Sequence, residues 1–492
     1  MAFTDQFAAR AERTAIVDGR GSHSYRDLAE ASARVASALV NGRGDLAESR
    51  VALLIQPGFE FAALLCGIWR AGGVAVPLSV SDPAAALEHV IRDADADVVL
   101  ASAAFAHLVG PIVAAKNARL ATADELLAAQ ARPLPFVTAG RRALIVYSSG
   151  TTAEPKGVVT THANVAAQIA SLMTAWGWTP EDRMLLVLPL HHVHGLINGL
   201  CTPLAVGACC EMLPRFDAAV TWARLASGEI SVFTAVPTIY HRLIAAFDAA
   251  RPDVRRSWAD GVRRVRLMMS GSAPLPVPVL ERWREITGHV LLERYGMTEI
   301  GMGLSNPLDG ERRAGFVGTP LPGVEIRLVD DAGSSVTEGT AGEIEVRGPT
   351  VFPEYWRRPQ ETCAAFRHGW FRTGDEAVVV GGMYRILGRR SVDIIKSGGY
   401  KISALEIEDA VRAHPAVADC AVVGVPDPSW GERVCAAVEL RGDAPLSLDE
   451  VQAWVKNRLS PYKVPKELRC VPALPRNALG KVVKAQVAQW FA

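Results

Sequence analysis

Along residues 50–300, short apolar runs alternate with segments whose apolar residues recur every three or four positions. The runs at 51–55, 73–78 and 97–101 have the length of buried strands, and 59–71 between the first two has helical spacing. Further strands are expected at 143–147, 184–189, 231–236, 266–270 and 290–294, with helices between most of them, for example over 164–176 and 277–287. Such alternation predicts largely parallel sheets covered by helices, because parallel neighbours need a long crossover between them.

After about residue 310 the texture changes. VEIRLVDD and GEIEVRG, separated by glycine-rich turns, alternate in the manner of antiparallel strands and predict a small β subdomain. Near Gly388 a third texture begins, with a helix over 404–413, strands at 418–425 and 434–440, and a helix over 448–459. The expected fold class is α/β: a large N-terminal domain of stacked, mostly parallel sheets with helices plus a small β subdomain (1–388), and a smaller α+β C-terminal domain (389–492). The chain shows neither an internal repeat nor a low-complexity tract.

Composition narrows the classes. The 492 residues are 49% apolar, and Lys+Arg equals Asp+Glu at 52 each, which gives no reason to expect nucleic acid or an anionic membrane as partner. No apolar run reaches the roughly 18 residues that a membrane span needs. The N-terminal stretch lacks an apolar core and carries Asp5 and Glu12, so neither a secretory signal nor a transit peptide is indicated. The 8 cysteines show no C-x-x-C spacing, and the expectation is reduced thiols in a cytoplasm. Adjacent Cys209 and Cys210 read as buried strand residues.

The chemistry concentrates in a few short strings. YSSGTTAEPKG (147–157) follows an expected strand and crowds hydroxyls, glycines and a lysine, with a helix expected from about Asn164. Backbone N–H groups and hydroxyls there can donate to an anion, Gly150 permits close approach, and Lys156 adds a mobile charge. It is not the G-x-x-x-x-G-K-[ST] nucleotide loop, since Lys156 follows Pro155 and precedes Gly157. Downstream come SGSAPL from Ser270, YGMTE (295–299), WFRTGD ending at Asp375, ILGRR with Arg389, and LPRNALGKVVK with Lys481.

In this order and over almost the whole length, these strings resemble the adenylate-forming superfamily of acyl-CoA synthetases, luciferases and peptide-synthetase adenylation domains. Its loop usually reads [ST]SGTTGxPKG, and Ala153 stands here for the customary glycine. The resemblance implies ATP and Mg²⁺ as cofactors and CoA as co-substrate. Ser148, Ser149, Gly150, Thr151, Thr152 and Lys156 are implied for the phosphates, and Ser270, Gly271, Ser272 and Ala273 for the adenine. Tyr295, Gly296 and Met297 belong with the nucleotide, Thr298 with the α-phosphate, and Glu299 with Thr151 at the metal, a role suited to hard oxygen ligands. Asp375 is implied for the ribose, Arg389 for ribose or phosphates, and Lys481 as the adenylation lysine. In the family the small domain is mobile. GRRSVDIIKSGGYK resembles its hinge but runs one residue longer between Arg389 and Asp393, which leaves Ser391 and Val392 as alternative pivots. Gly398, Gly399, Tyr400 and Lys401 would line the pantetheine tunnel.

Two arginines bear on the acid. Arg242 lies in VPTIYHRL, on a helix after a buried strand, and Arg294 is expected to end the strand before YGMTE. A fatty or aromatic pocket has no use for a buried guanidinium, whereas the second carboxylate of a dicarboxylic acid does. With PLHHVHG and NPLDGERR, these positions are similar to malonyl-CoA synthetases, which implies malonate or methylmalonate held by Arg242, Arg294 and His192. The alternatives are that Arg242 covers a helix face and Arg294 pairs with Glu293, in an enzyme for another short, medium-chain or aryl acid, or in one that loads a carrier protein. His191, His192 and His194 lack the acidic or thiol company of a zinc site. The expected partners are small molecules only, in a monomer or weak homo-oligomer.

Overall fold

A computed structural model describes all residues except 1–3, 5–6, 149–154, 398–399, 443 and 478–479, with backbone alone for Ser148 and Lys401. Among the described residues the strands form four sheets, of nine, seven, five and five strands. The core of the nine-stranded sheet is parallel: Leu292–Met297, Leu267–Ser270, Val232–Ala235, Arg183–Leu186, Cys209–Met212 and Thr14–Asp18 lie side by side in that order. The seven-stranded sheet is parallel from Arg142–Ser148 through Val74–Pro77, Arg50–Leu54 and Val98–Ala101 to Arg119–Ala121. Parallel strands carry helices on their faces, so their residues are mostly apolar; Val74–Pro77, Val98–Ala101 and Leu267–Ser270 are buried at every position.

The helices between the strands follow the expected apolar spacing. Val277–Thr287 buries one face, through Leu280, Trp283 and Ile286, whereas Phe59–Arg70 is buried all round from Phe61 to Trp69. Trp222 stacks on Trp258 and Trp283, and Tyr240 meets Trp283 edge-on at 4.9 Å, which locks the helices around Val232–Ala235 into one aromatic cluster.

The helix expected from about Asn164 is present, but a strand not expected, Lys156–Thr161, precedes it and pairs antiparallel with Arg142–Ser148. The helix begins at His162, where Thr161 and Asn164 form a reciprocal capping box. One expectation needs correction. The strand expected at 290–294 runs from Leu292 to Met297, so Arg294 stands mid-strand.

After residue 310, Glu325–Val329, Gly342–Arg347, Trp370–Val380 and Met383–Arg389 pair antiparallel as the alternation predicts. Beyond Arg389, a five-stranded sheet made wholly of residues 394–471 carries Ala404–Arg412 and Leu448–Lys456 on one face and the C-terminal helix Lys484–Gln489 on the other. Its two apolar clusters draw only on residues 395–491.

The strand-to-strand passage at 389–394 is held from both sides. Arg390 donates to Glu343 at 3.0 Å, pairs with Asp331, and lies 3.3 Å from Glu376, all in the preceding sheet region. Asp393 meets Lys484 Nζ at 2.5 Å, and Lys484 also reaches Glu408 at 2.7 Å. Ser391 and Val392 are the residues between these two anchors.

Candidate active site

Val232–Ala235, Leu267–Ser270 and Leu292–Met297 end side by side, and ligands of open α/β sheets bind beyond such carboxyl ends. From these ends come Thr234, the Ser270–Ser272 turn, Arg294 and the YGMTE segment. A π-helix, His194–Cys201, supplies the opposite wall. This rare geometry is frequent at functional sites. It is possible here because a β-carbon at position 195 would lie 2.2 Å from the Pro189 carbonyl oxygen, so only glycine fits.

Arg294 is 2% exposed. Its Nη2 meets His194 Nε2 and lies 3.4 Å from Thr234 Oγ1, while Nε and Nη1 have no hydrogen-bond partner among the described residues. Gly271 makes room for it, since a β-carbon there would come within 2.4 Å of Nη1. Burial without a carboxylate pulls the guanidinium pKa down to about 9. Glu293 is not its partner. Strand neighbours point to opposite faces, and the Glu293 carboxylate instead accepts from the Leu275 N–H at 3.3 Å, with burial pushing it up to about 8.

His192 lies beside His191, ring centroids 4.1 Å apart, and burial, then His191 and Lys481, depress its pKa to about 3, so it is a neutral ring. Lys481 keeps solvent access within the cleft, yet crowding around its side chain and the charge of Arg389 lower its pKa, with Asp375 opposing. Its backbone N–H donates to Asn477 Oδ1 at 3.0 Å, and the preceding Gly480 packs on Thr238.

Asp375 accepts from the Tyr295 hydroxyl at 2.6 Å and from Arg389 Nε at 2.9 Å. Glu299 is buried and accepts from the Tyr355 hydroxyl at 2.9 Å, and burial raises its pKa. The same Tyr355 ring lies 5.6 Å from Lys156 Nζ, which is paired with Glu361. Lys156, Tyr355 and Glu299 thus form one chain from the hairpin to the YGMTE turn. Thr298 opens that turn, half-buried, directly after Gly296 and Met297. Ser270 Oγ is buried without a partner, Ser272 Oγ lies 3.0 Å from His194 Nδ1, and Ala273 is half-buried beside it.

Arg242 is not brought to this cluster. It is exposed on the helix Pro237–Ala249, with its guanidinium 4.7 Å over Phe216. It shares a helix face with Thr238, four residues earlier, on which Gly480 packs. Tyr400 is exposed and stacks on Tyr462 at 4.3 Å. Ser149, Gly150, Thr151, Thr152, Gly398 and Gly399 lie outside the described residues, as do the side chains of Ser148 and Lys401. His194, Thr234 and Tyr355 were not singled out from sequence as members of the site. For His194 the signal was its place in PLHHVHG; Thr234 and Tyr355 carried none. Among the described residues no cluster of His, Cys, Asp or Glu could by itself enclose a metal ion.

The family model of AMP-binding enzymes matches residues 3–356, and that of their C-terminal domain matches residues 406–481. The chain belongs to the AMP-binding enzyme family. It is 46% identical to the human mitochondrial malonate–CoA ligase ACSF3, over 98% of this chain and 90% of that protein. The crystal structure of ATP-bound MatB from Rhodopseudomonas palustris superposes with a TM-score of 0.92 at 33% identity, covering 100% and 99% of the two chains. A malonyl-CoA ligase product complex with methylmalonyl-CoA and AMP gives 0.70 at 40% identity, covering 95% and 97%. The more identical chain thus superposes less well than the ATP-bound structure.

Proposed function

We propose that the protein is an AMP-forming malonate–CoA ligase that also takes methylmalonate. The observation that carries this reading is Arg294, a guanidinium at the strand ends that is fully buried and, among the described residues, has no carboxylate partner and keeps two unsatisfied donors. An unpaired buried charge is costly, and it persists where a ligand supplies the counter-charge. One carboxylate of malonate docks there while the other is activated. The relatives named as malonate–CoA ligases support the same substrate.

In the first step a malonate oxygen attacks the α-phosphorus of ATP, giving malonyl-AMP and pyrophosphate. Lys481 and Thr298 offset the charge developing on the α-phosphoryl oxygens, the neutral His192 orients the reacting carboxylate, and Asp375 with Arg389 holds the ribose. The 148–156 hairpin tip covers the departing pyrophosphate, for which Lys156 exchanges Glu361. Glu299 suits Mg²⁺: a single buried carboxylate, with phosphates and water completing the shell, fits an ion that resists full dehydration. When bound, that ion neutralises phosphate charge.

In the second step the segment 389–492 turns against 1–388 about Ser391–Val392, the pair between the Arg390 and Asp393 anchors. Lys481 withdraws, the Gly398–Lys401 face arrives, and the CoA thiolate attacks the mixed anhydride, releasing AMP. The unpaired cysteines among the described residues suit a reducing compartment such as the cytoplasm.

The test is substrate-dependent AMP release with CoA across malonate, methylmalonate, succinate, acetate, octanoate and coumarate. The highest kcat/KM falls on malonate or methylmalonate; turnover of octanoate or coumarate above both overturns the assignment.

A further inference from the structure

His194 stands apart from the histidines beside it. It is 5% exposed, and both ring nitrogens are engaged: Nδ1 with Ser272 Oγ at 3.0 Å, Nε2 with Thr234 Oγ1 at 2.8 Å and with Arg294 Nη2. A guanidinium can only donate, so Nε2 carries the lone pair and the ring proton sits on Nδ1, donating to Ser272. Thr234 Oγ1 lies 2.8 Å from Nε2 and accepts from Arg294 Nη2 at 3.4 Å, while the single lone pair of Nε2 is taken by Arg294. The tautomer is therefore set by the neighbours.

The surroundings hold that arrangement firmly. Ser272 has φ +68°, a left-handed conformation unfavourable for serine, and in it the hydroxyl meets Nδ1. His194 opens the π-helix, which the Gly195 contact with Pro189 fixes in place. Arg294 has no other side-chain acceptor than His194 and Thr234 among the described residues. A buried acid at position 194 would have neutralised the arginine; a neutral acceptor orients it and leaves its charge unspent.

We propose that His194 is the positioning residue of the acid site: its acceptor nitrogen holds Arg294 Nη2, leaves Nε and Nη1 to the second carboxylate of the substrate, and so sets the preference for a dicarboxylic over a monocarboxylic acid. This rests on the assignment of Arg294 to a substrate carboxylate. His194 acts through Arg294 and does not touch the reacting atoms.

The experiment compares malonate with propionate, an acid of equal carbon count and no second carboxylate, using the full-length protein with ATP, Mg²⁺ and CoA. The His194→Leu variant removes the acceptor at similar volume, and His194→Gln can present an oxygen near the position of Nε2. In His194→Leu the malonate kcat/KM falls by about fiftyfold, the loss lying in KM, as expected for a hydrogen bond to a charged group. Propionate kcat/KM in that variant stays within about threefold of wild type, because a merely structural defect would reach both acids. His194→Gln recovers malonate to within about fivefold of wild type. Equal loss for both acids in His194→Leu, or an unchanged malonate KM, overturns the proposal. A wild-type enzyme without preference for malonate over propionate refutes the functional assignment before any variant is made, and the positioning role falls with it.

Discussion

Two arginines, Arg412 partly buried and Arg294 fully so, divide the molecule's electrostatics. Arg412, on the helix Ala404–Arg412, donates to Asp419 at 2.8 Å, Glu408 at 3.1 Å, Asp409 at 3.3 Å and the Cys420 carbonyl at 2.7 Å. Burial alone would lower its pKa, but Glu408 and Asp419 outweigh it and leave it raised. Arg294 is buried more deeply, at 2% exposed, with no acid beside it among the described residues, and its pKa is drawn down to about 9. One guanidinium is saturated by its own fold. The other keeps two donors without a partner among the described residues, which is the feature the proposed carboxylate site rests on. A buried charge is therefore structural or functional according to what surrounds it.

The comparison breaks first on paired substitutions. Arg294→Met removes roughly 3–5 kcal/mol of malonate transition-state binding, more than a hundredfold in kcat/KM, while Tm holds or rises, because no carboxylate is stranded. Arg412→Met does the reverse: urea or thermal unfolding shows a loss of about 1–3 kcal/mol in the C-terminal region, since Glu408 and Asp419 each lose one cationic partner and keep Lys484 and Arg476. If Arg294→Met proves the more destabilising, the contrast is wrong.

A smaller effect comes from pH. Charged Arg294 is needed for the second carboxylate, so malonate KM rises as pH passes about 9, whereas propionate KM stays flat; parallel profiles would assign the change to another group. Glu293, on the same strand, has its folded pKa raised to about 8. The folded state then binds more protons than the unfolded, so this contribution is full below the unfolded value near 4.5 and is lost as pH rises through 8. Glu293→Gln flattens the decline in stability between those limits, read by denaturant midpoints at several pH values. The smallest expected change is Tyr355→Phe, which removes the hydrogen bond to Glu299 and costs about 0.5–1.5 kcal/mol, seen as a weaker Mg²⁺ dependence of adenylation with an unchanged malonate KM.

Much of this was legible in the chain. Continuous apolar runs such as 74–77 and 98–101 announce parallel strands because both faces are covered, and alternation in GEIEVRG announces a sheet with one polar face. The strand Lys156–Thr161 escaped because KGVVTT continues a polar loop and its partner strand is needed to complete its hydrogen bonds. The strand through Arg294 extended further than expected because Tyr295–Met297 pair with Gly301–Leu304, a contact no local pattern encodes.

Residue identities by themselves determined the chemistry on offer: a phosphate loop, a carboxylate in YGMTE, a late lysine and two arginines. Only the tertiary structure decided which of these meet. It buried Arg294 against His194, left Arg242 on the surface over Phe216, and tied Arg390 to Glu343 and Asp393 to Lys484 on either side of Ser391 and Val392. The physical reason is that composition and spacing set each side chain's capacity to donate, accept or carry charge, whereas burial and long-range partners set whether that capacity is already satisfied.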